Sequence, residues 1–116
     1  MFKQKLNDKI CLEILEEICQ KYEMEYYCSI GIPCKDRICI CKSDKIWEVF
    51  LIENGRKYLE TKHKECIDAC IQLLKHCSYT NEEFEIVVNE FKNILQKKKE
   101  TKILKKCKLK TNINKK

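Results

Sequence analysis

The sequence predicts a single α+β domain: an N-terminal helix, a four-stranded antiparallel meander, two C-terminal helices and a basic tail. Three observations predict it. Apolar residues recur every three or four positions near both ends, which is helical spacing. The middle holds short β-like runs instead. Asn54-Gly55, the strongest short hairpin signal, sits inside that middle region. The domain is expected to cover residues 1–99, with 100–116 as a flexible basic tail.

The first helix is expected from about Lys9 to Glu23, capped by Asn7 or Asp8. Ile10, Ile14, Ile18 and Tyr22 form its apolar stripe, with Cys11, Leu15 and Cys19 alongside. Glu13, Glu16, Glu17 and Gln20 fall on the other side. Tyr26 to Ile30, Arg37 to Lys42, Ile46 to Ile52 and Arg56 to Glu60 then read as strands. Gly31-Ile32-Pro33 and Ser43-Asp44 read as turns. A two-residue loop at Asn54-Gly55 would pair Leu51 with Tyr58 and Phe50 with Leu59. Both sheet faces would then be apolar, so each needs a cover.

Thr61 is read as the cap of a second helix, from about Lys62 to Cys77. Its inner stripe is Cys66, Cys70, Leu73, Leu74 and Cys77. Thr80-Asn81-Glu82-Glu83 has the form of a capping box, with Tyr79 and Phe84 placed for a hydrophobic staple. Phe84, Val87, Val88, Phe91, Ile94 and Leu95 mark a third amphipathic helix, ending near Lys99.

Charge is divided unevenly. The segment from Gln96 to Lys116 carries a net +9, and residues 1–95 carry a net −3. The basic balance therefore belongs to the tail. Its lysines could meet nucleic acid phosphates, but no aromatic residue is interleaved to stack on bases. No apolar leader follows Met1, and no apolar run spans a bilayer, so a cytoplasmic protein without membrane contact is expected.

The ten cysteines contain no Cys-x-x-Cys pair. Several fall on core stripes, where Cys behaves as a small hydrophobe. Reduced thiols, no metal and no cofactor are expected. His63 and His76 read as solvated, and no phosphate-binding glycine loop exists. These readings predict neither an enzyme nor a small-molecule substrate.

The segment Ile46-Trp47-Glu48-Val49-Phe50, followed by Glu53-Asn54-Gly55, Tyr58-Leu59 and Asp68-Ala69-Cys70, resembles small bacterial immunity proteins of polymorphic toxin systems, such as those of contact-dependent inhibition. The order of helix, meander, helix and helix is similar too. The cysteine load and the lysine tail depart from that pattern. The resemblance implies a cytosolic, non-catalytic inhibitor that occludes a cognate toxin domain. An acidic body suits a basic partner, which suggests contact through Glu13, Glu16 and Glu17 and through the hairpin at Trp47, Glu53 and Tyr58. The alternative is a small nucleic-acid-binding protein. The order α-β-β-β-α, with Ile32-Pro33 in a loop and Lys62-His63-Lys64 at a helix start, is similar to a double-stranded RNA-binding domain. That fold uses three strands where this chain reads as four, and Glu65 and Asp68 would repel phosphate.

Overall fold

Apolar stripes at helical spacing give three helices, and the β-rich middle gives one sheet. The computed structural model describes the backbone from residue 2 to 114 and side chains from residue 7 to 100. The order is α1 (Phe2–Lys21), β1 (Cys28–Ile30), β2 (Ile38–Ser43), β3 (Ile46–Glu53), β4 (Arg56–His63), α2 (Cys66–Cys77) and α3 (Asn81–Asn114). The fold is α+β, with the strands side by side in chain order.

All three helices feed one hydrophobic core. From α1 it takes Cys11, Ile14, Leu15, Ile18 and Cys19, as the stripe predicts. From α2 come Cys66, Ala69, Cys70, Leu73, Leu74 and Cys77, and from α3 Val87, Phe91 and Leu95. The sheet contributes Cys28, Ile40, Trp47 and Val49. Helix α2 packs directly on β2, β3 and β4, while α1 and α3 pack on α2 and on each other. Glu17 meets Lys98, and Lys21 meets Glu90, which sets α1 antiparallel to α3.

Several expectations are corrected. The sheet is mixed, because β1 pairs parallel with β2, Cys28 opposite Ile38 and Ile30 opposite Ile40. The link 31–37 makes no tight turn. It runs back across the outer face, helped by left-handed backbone at Gly31 (φ 87°) and Asp36 (φ 63°). A short crossover suffices because a three-residue strand is only about 10 Å long.

Helix α1 ends at Lys21, two residues before the expected end. Glu23 takes φ 57°. Its N–H donates to the Gln20 carbonyl, and the Met24 N–H donates to Cys19. That is a Schellman stop built on a residue other than glycine. Buried Met24 and Cys19 supply its apolar contact.

Strand β4 runs on to His63, and α2 starts only at Cys66. Thr61 is therefore not a cap. Thr61 pairs with Val49 and His63 with Trp47, while Lys62 lies opposite Glu48. Cross-strand packing and charge pairing outweigh the capping preference there.

The hairpin register starts as predicted, Glu53 opposite Arg56 and Leu51 opposite Tyr58. It then slips by a bulge between Val49 and Leu51, so Leu59 does not face Phe50. Leu59 takes φ 55° and stays exposed. Helix α3 does not end near Lys99; its backbone continues to Asn114. Its start carries the expected cap, with the Glu83 N–H donating to Thr80 Oγ1 at 3.0 Å. The Glu83 carboxylate reaches back to the Tyr79 N–H.

Candidate functional site

The two faces of the sheet are covered differently, and a cleft lies where the helical cover ends. Helix α2 stops at Cys77, where Ser78 closes it by donating N–H and Oγ–H to the Leu74 carbonyl. Ile38 of β2 and Leu51 of β3 reach beyond that point, leaving a cleft of about 240 Å³. Ile38, Leu51 and Cys77 form its apolar lining, and Tyr27, Tyr79, Asp36, His76 and Ser78 supply the polar groups.

Tyr27 and Tyr79 form one wall. Their ring centroids are 6.5 Å apart and their planes cross at 83°. The Tyr79 hydroxyl donates to that of Tyr27 at 3.3 Å, which raises the Tyr79 phenol above its ordinary pKa. Asp36 is fixed from the other side, because its N–H donates to the Ile52 carbonyl at 2.7 Å. The Arg37 guanidinium is committed to the carbonyls of Glu25 and Cys28, tying the loop to the link between α1 and β1 and to the first residue of β1. His76 is lowered below its usual pKa, first by burial and then by Lys75. Its Nε2 lies within hydrogen-bond distance, 3.0 Å, of the Gln72 side-chain amide.

Behind the cleft, Cys77 joins Cys19 and Cys28 in a buried thiol cluster. Hydrogen bonds to Cys28, reinforced by burial, push the Cys19 and Cys77 thiols up. The same bonds pull Cys28 the other way, so it is the first of the three to ionise. A similar group joins Cys66 to Cys70 at 3.9 Å between sulfurs, with Cys11 beside Cys66. Described cysteines are free thiols. Among the described residues, no three His, Cys, Asp or Glu side chains are arranged to hold a metal ion. His76 bonds to an amide, and burial excludes water from the thiols behind it. The cleft itself brings two tyrosines, an aspartate, a histidine and a serine together over an apolar lining.

The residues that sequence suggested for a partner are split by the fold. Glu13, Glu16 and Glu17 are exposed on α1, and Glu17 lies 3.8 Å from Lys98. Trp47 is a core residue, 6% exposed, with the Lys42 ammonium 5.6 Å from its ring centroid. It has almost no surface to offer a partner. Glu53 is exposed at the hairpin, and Tyr58 is 42% exposed opposite Leu51. Trp47 lies about 20 Å along β3 from Glu53, so one partner residue cannot touch both. Tyr58 lies opposite Leu51 on the neighbouring strand and does not itself line the cleft. His63 is half-buried in β4 and hydrogen-bonded to Thr61, not at a helix start.

Tyr27, Tyr79, Asp36 and His76 were not legible as a site. Tyr27 reads as strand and Tyr79 as a staple, and only the fold brings them together. The one available signal was an excess of tyrosine at turns, where burial gives it no reason to be. Among the described residues, no helix is long and apolar enough to cross a membrane. No family model, curated protein or solved structure matches the chain.

Proposed function

We propose that this chain is a non-catalytic binding protein that grips a basic protein partner and occludes it. In its sharpest form the partner is a cognate toxin domain, and the chain is its cytoplasmic immunity protein. The observation that carries the reading is the tyrosine-rimmed cleft. Tyr27 and Tyr79 are 51% and 79% exposed on the wall of one largely apolar cleft, and Tyr58, 42% exposed, lies opposite its lining residue Leu51. Tyrosine is enriched among the anchors of protein interfaces, where it offers large rigid area and a polar tip. The acidic balance of residues 1–95 and the exposed Glu13, Glu16 and Glu53 favour a basic partner. Trp47 drops out of the proposed contact set because it is buried.

The nucleic-acid alternative loses one support. Lys62-His63-Lys64 closes and follows β4, so the helix start behind that likeness is not there. The test uses the toxin domain encoded in the neighbouring reading frame. A tight one-to-one complex that abolishes toxicity is expected. Failure of the purified chain to bind that domain, with salt-sensitive binding to RNA instead, contradicts the proposal.

A further inference from the structure

The cleft has walls of a particular chemistry. Two tyrosine rings crossing at 83° form adjacent sides of a box, and an aromatic face is negative toward whatever it meets. Asp36 adds a carboxylate on the same cleft. It is the only carboxylate among the lining residues, which include no lysine or arginine. Ile38 and Leu51 supply an apolar floor along which a methylene stem can lie. Lys35, Arg37 and Lys75 are near in the chain, but none of them lines the cleft. Arg37 is turned away onto two carbonyls.

From this geometry we infer that the Tyr27–Tyr79 cleft is a subsite for one cationic side chain, a lysine or arginine of the protein partner. The inference rests on the proposed binding role and names the chemistry of its anchor. The ammonium or guanidinium lies against the ring faces and pairs with Asp36, while its stem covers Ile38 and Leu51. An anion would meet the Asp36 carboxylate with no lysine or arginine in the lining to offset it. A neutral apolar group would leave the Asp36 charge without a partner as water is displaced. Size agrees, because about 240 Å³ holds one long side chain and is below the roughly 300 Å³ at which drug-sized pockets begin. Position agrees too. The Asp36 backbone is held in left-handed conformation with its N–H bonded to the Ile52 carbonyl, so its position on the cleft is set by the main chain before a partner arrives.

The test is an amide-shift titration of the full-length ¹⁵N-labelled chain with tetramethylammonium chloride, balanced by sodium chloride. Neopentyl alcohol serves as the neutral isostere. Saturable shifts are expected at Tyr27, Asp36 and Tyr79 with the cation, and none with the alcohol. Asp36→Asn keeps a residue type that tolerates left-handed backbone and should weaken binding about threefold. Tyr79→Ala removes a mostly exposed ring and should abolish it with the fold unchanged. Absence of shifts at these residues, equal shifts with the alcohol, or undiminished binding by Asp36→Asn overturns the inference. If the cation is not held but the toxin-domain complex forms, the subsite is wrong and the binding role stands. If the cation is held and no such complex forms, the reverse is true.

Discussion

The inner face of the sheet and the outer face contrast in how they are covered. On the inner face, Val49, Ile40 and Trp47 lie under three helices that share one core. On the outer face, Phe50 and Cys39 are as deeply buried, yet among the described residues they lie outside the core cluster that the helices share. The link 31–37 folds across, with the Cys34 N–H donating to Cys39 Sγ at 3.2 Å. Lys57 lies over Phe50, its ammonium 4.5 Å from the ring centroid, and is held there by Glu48 and Glu60. The helical cover is a rigid layer built from repeats of one stripe. The outer cover is one loop and one side chain. The same loop carries Asp36 to the cleft, so the lighter cover also shapes the candidate site.

If cover decides stability, the inner face should respond more to deletion. Leu73→Ala, at a fully buried position of α2, should cost about 3–4 kcal/mol in urea unfolding. Phe50→Ala removes a larger side chain but should cost only about 2 kcal/mol, because loop and lysine can settle into the space. An equal or larger loss at Phe50 would mean the outer cover is as rigid as the helices. Beside it, Leu59 is held at φ 55° in the β4 bulge with its side chain exposed. Leu59→Asn should therefore stabilise the chain by about 1 kcal/mol, read from the same unfolding curves.

The smallest expected effect concerns pH. Burial lowers the His76 pKa, so the folded state prefers the neutral ring. The unfolded chain then binds the proton more readily. His76 contributes nothing above about pH 6.5, and stability falls as pH drops through the His76 range. Thermal melts of the chain and of His76→Gln should diverge below that pH, with the variant losing less.

What sequence disclosed follows from which forces are local. The stripes of α1, α2 and α3 are legible because burial repeats every turn of helix. The hairpin at Asn54-Gly55 is legible because both residues accept the positive φ they show, 52° and 73°. Three features escaped for the opposite reason. The parallel pairing of β1 with β2 depends on the path of 31–37, which local pattern does not encode. The end of α1 uses Glu23 where glycine would have announced it. The slip at Leu59 puts a bulky residue where glycine or asparagine is expected. Among the suggested contact residues, the exposure of Glu53 and Tyr58 was legible because hairpin tips are exposed by construction. Trp47 was misplaced because alternation gives its face, but not whether a helix lies on it. Tyr27 and Tyr79 are 52 residues apart, so the cleft exists only in the fold.

The most direct test of the binding account is calorimetric titration of the proposed partner, a toxin domain encoded beside this chain, into three proteins. These are the unaltered chain, the Tyr27→Ala/Tyr79→Ala variant, and the Glu13→Lys/Glu16→Lys/Glu17→Lys variant, all shown to melt alike. A roughly hundredfold loss is expected for the tyrosine variant, as for paired interface anchors. The charge variant should lose less, and more at low salt. Full affinity in the tyrosine variant would place the contact elsewhere on the molecule and contradict the account.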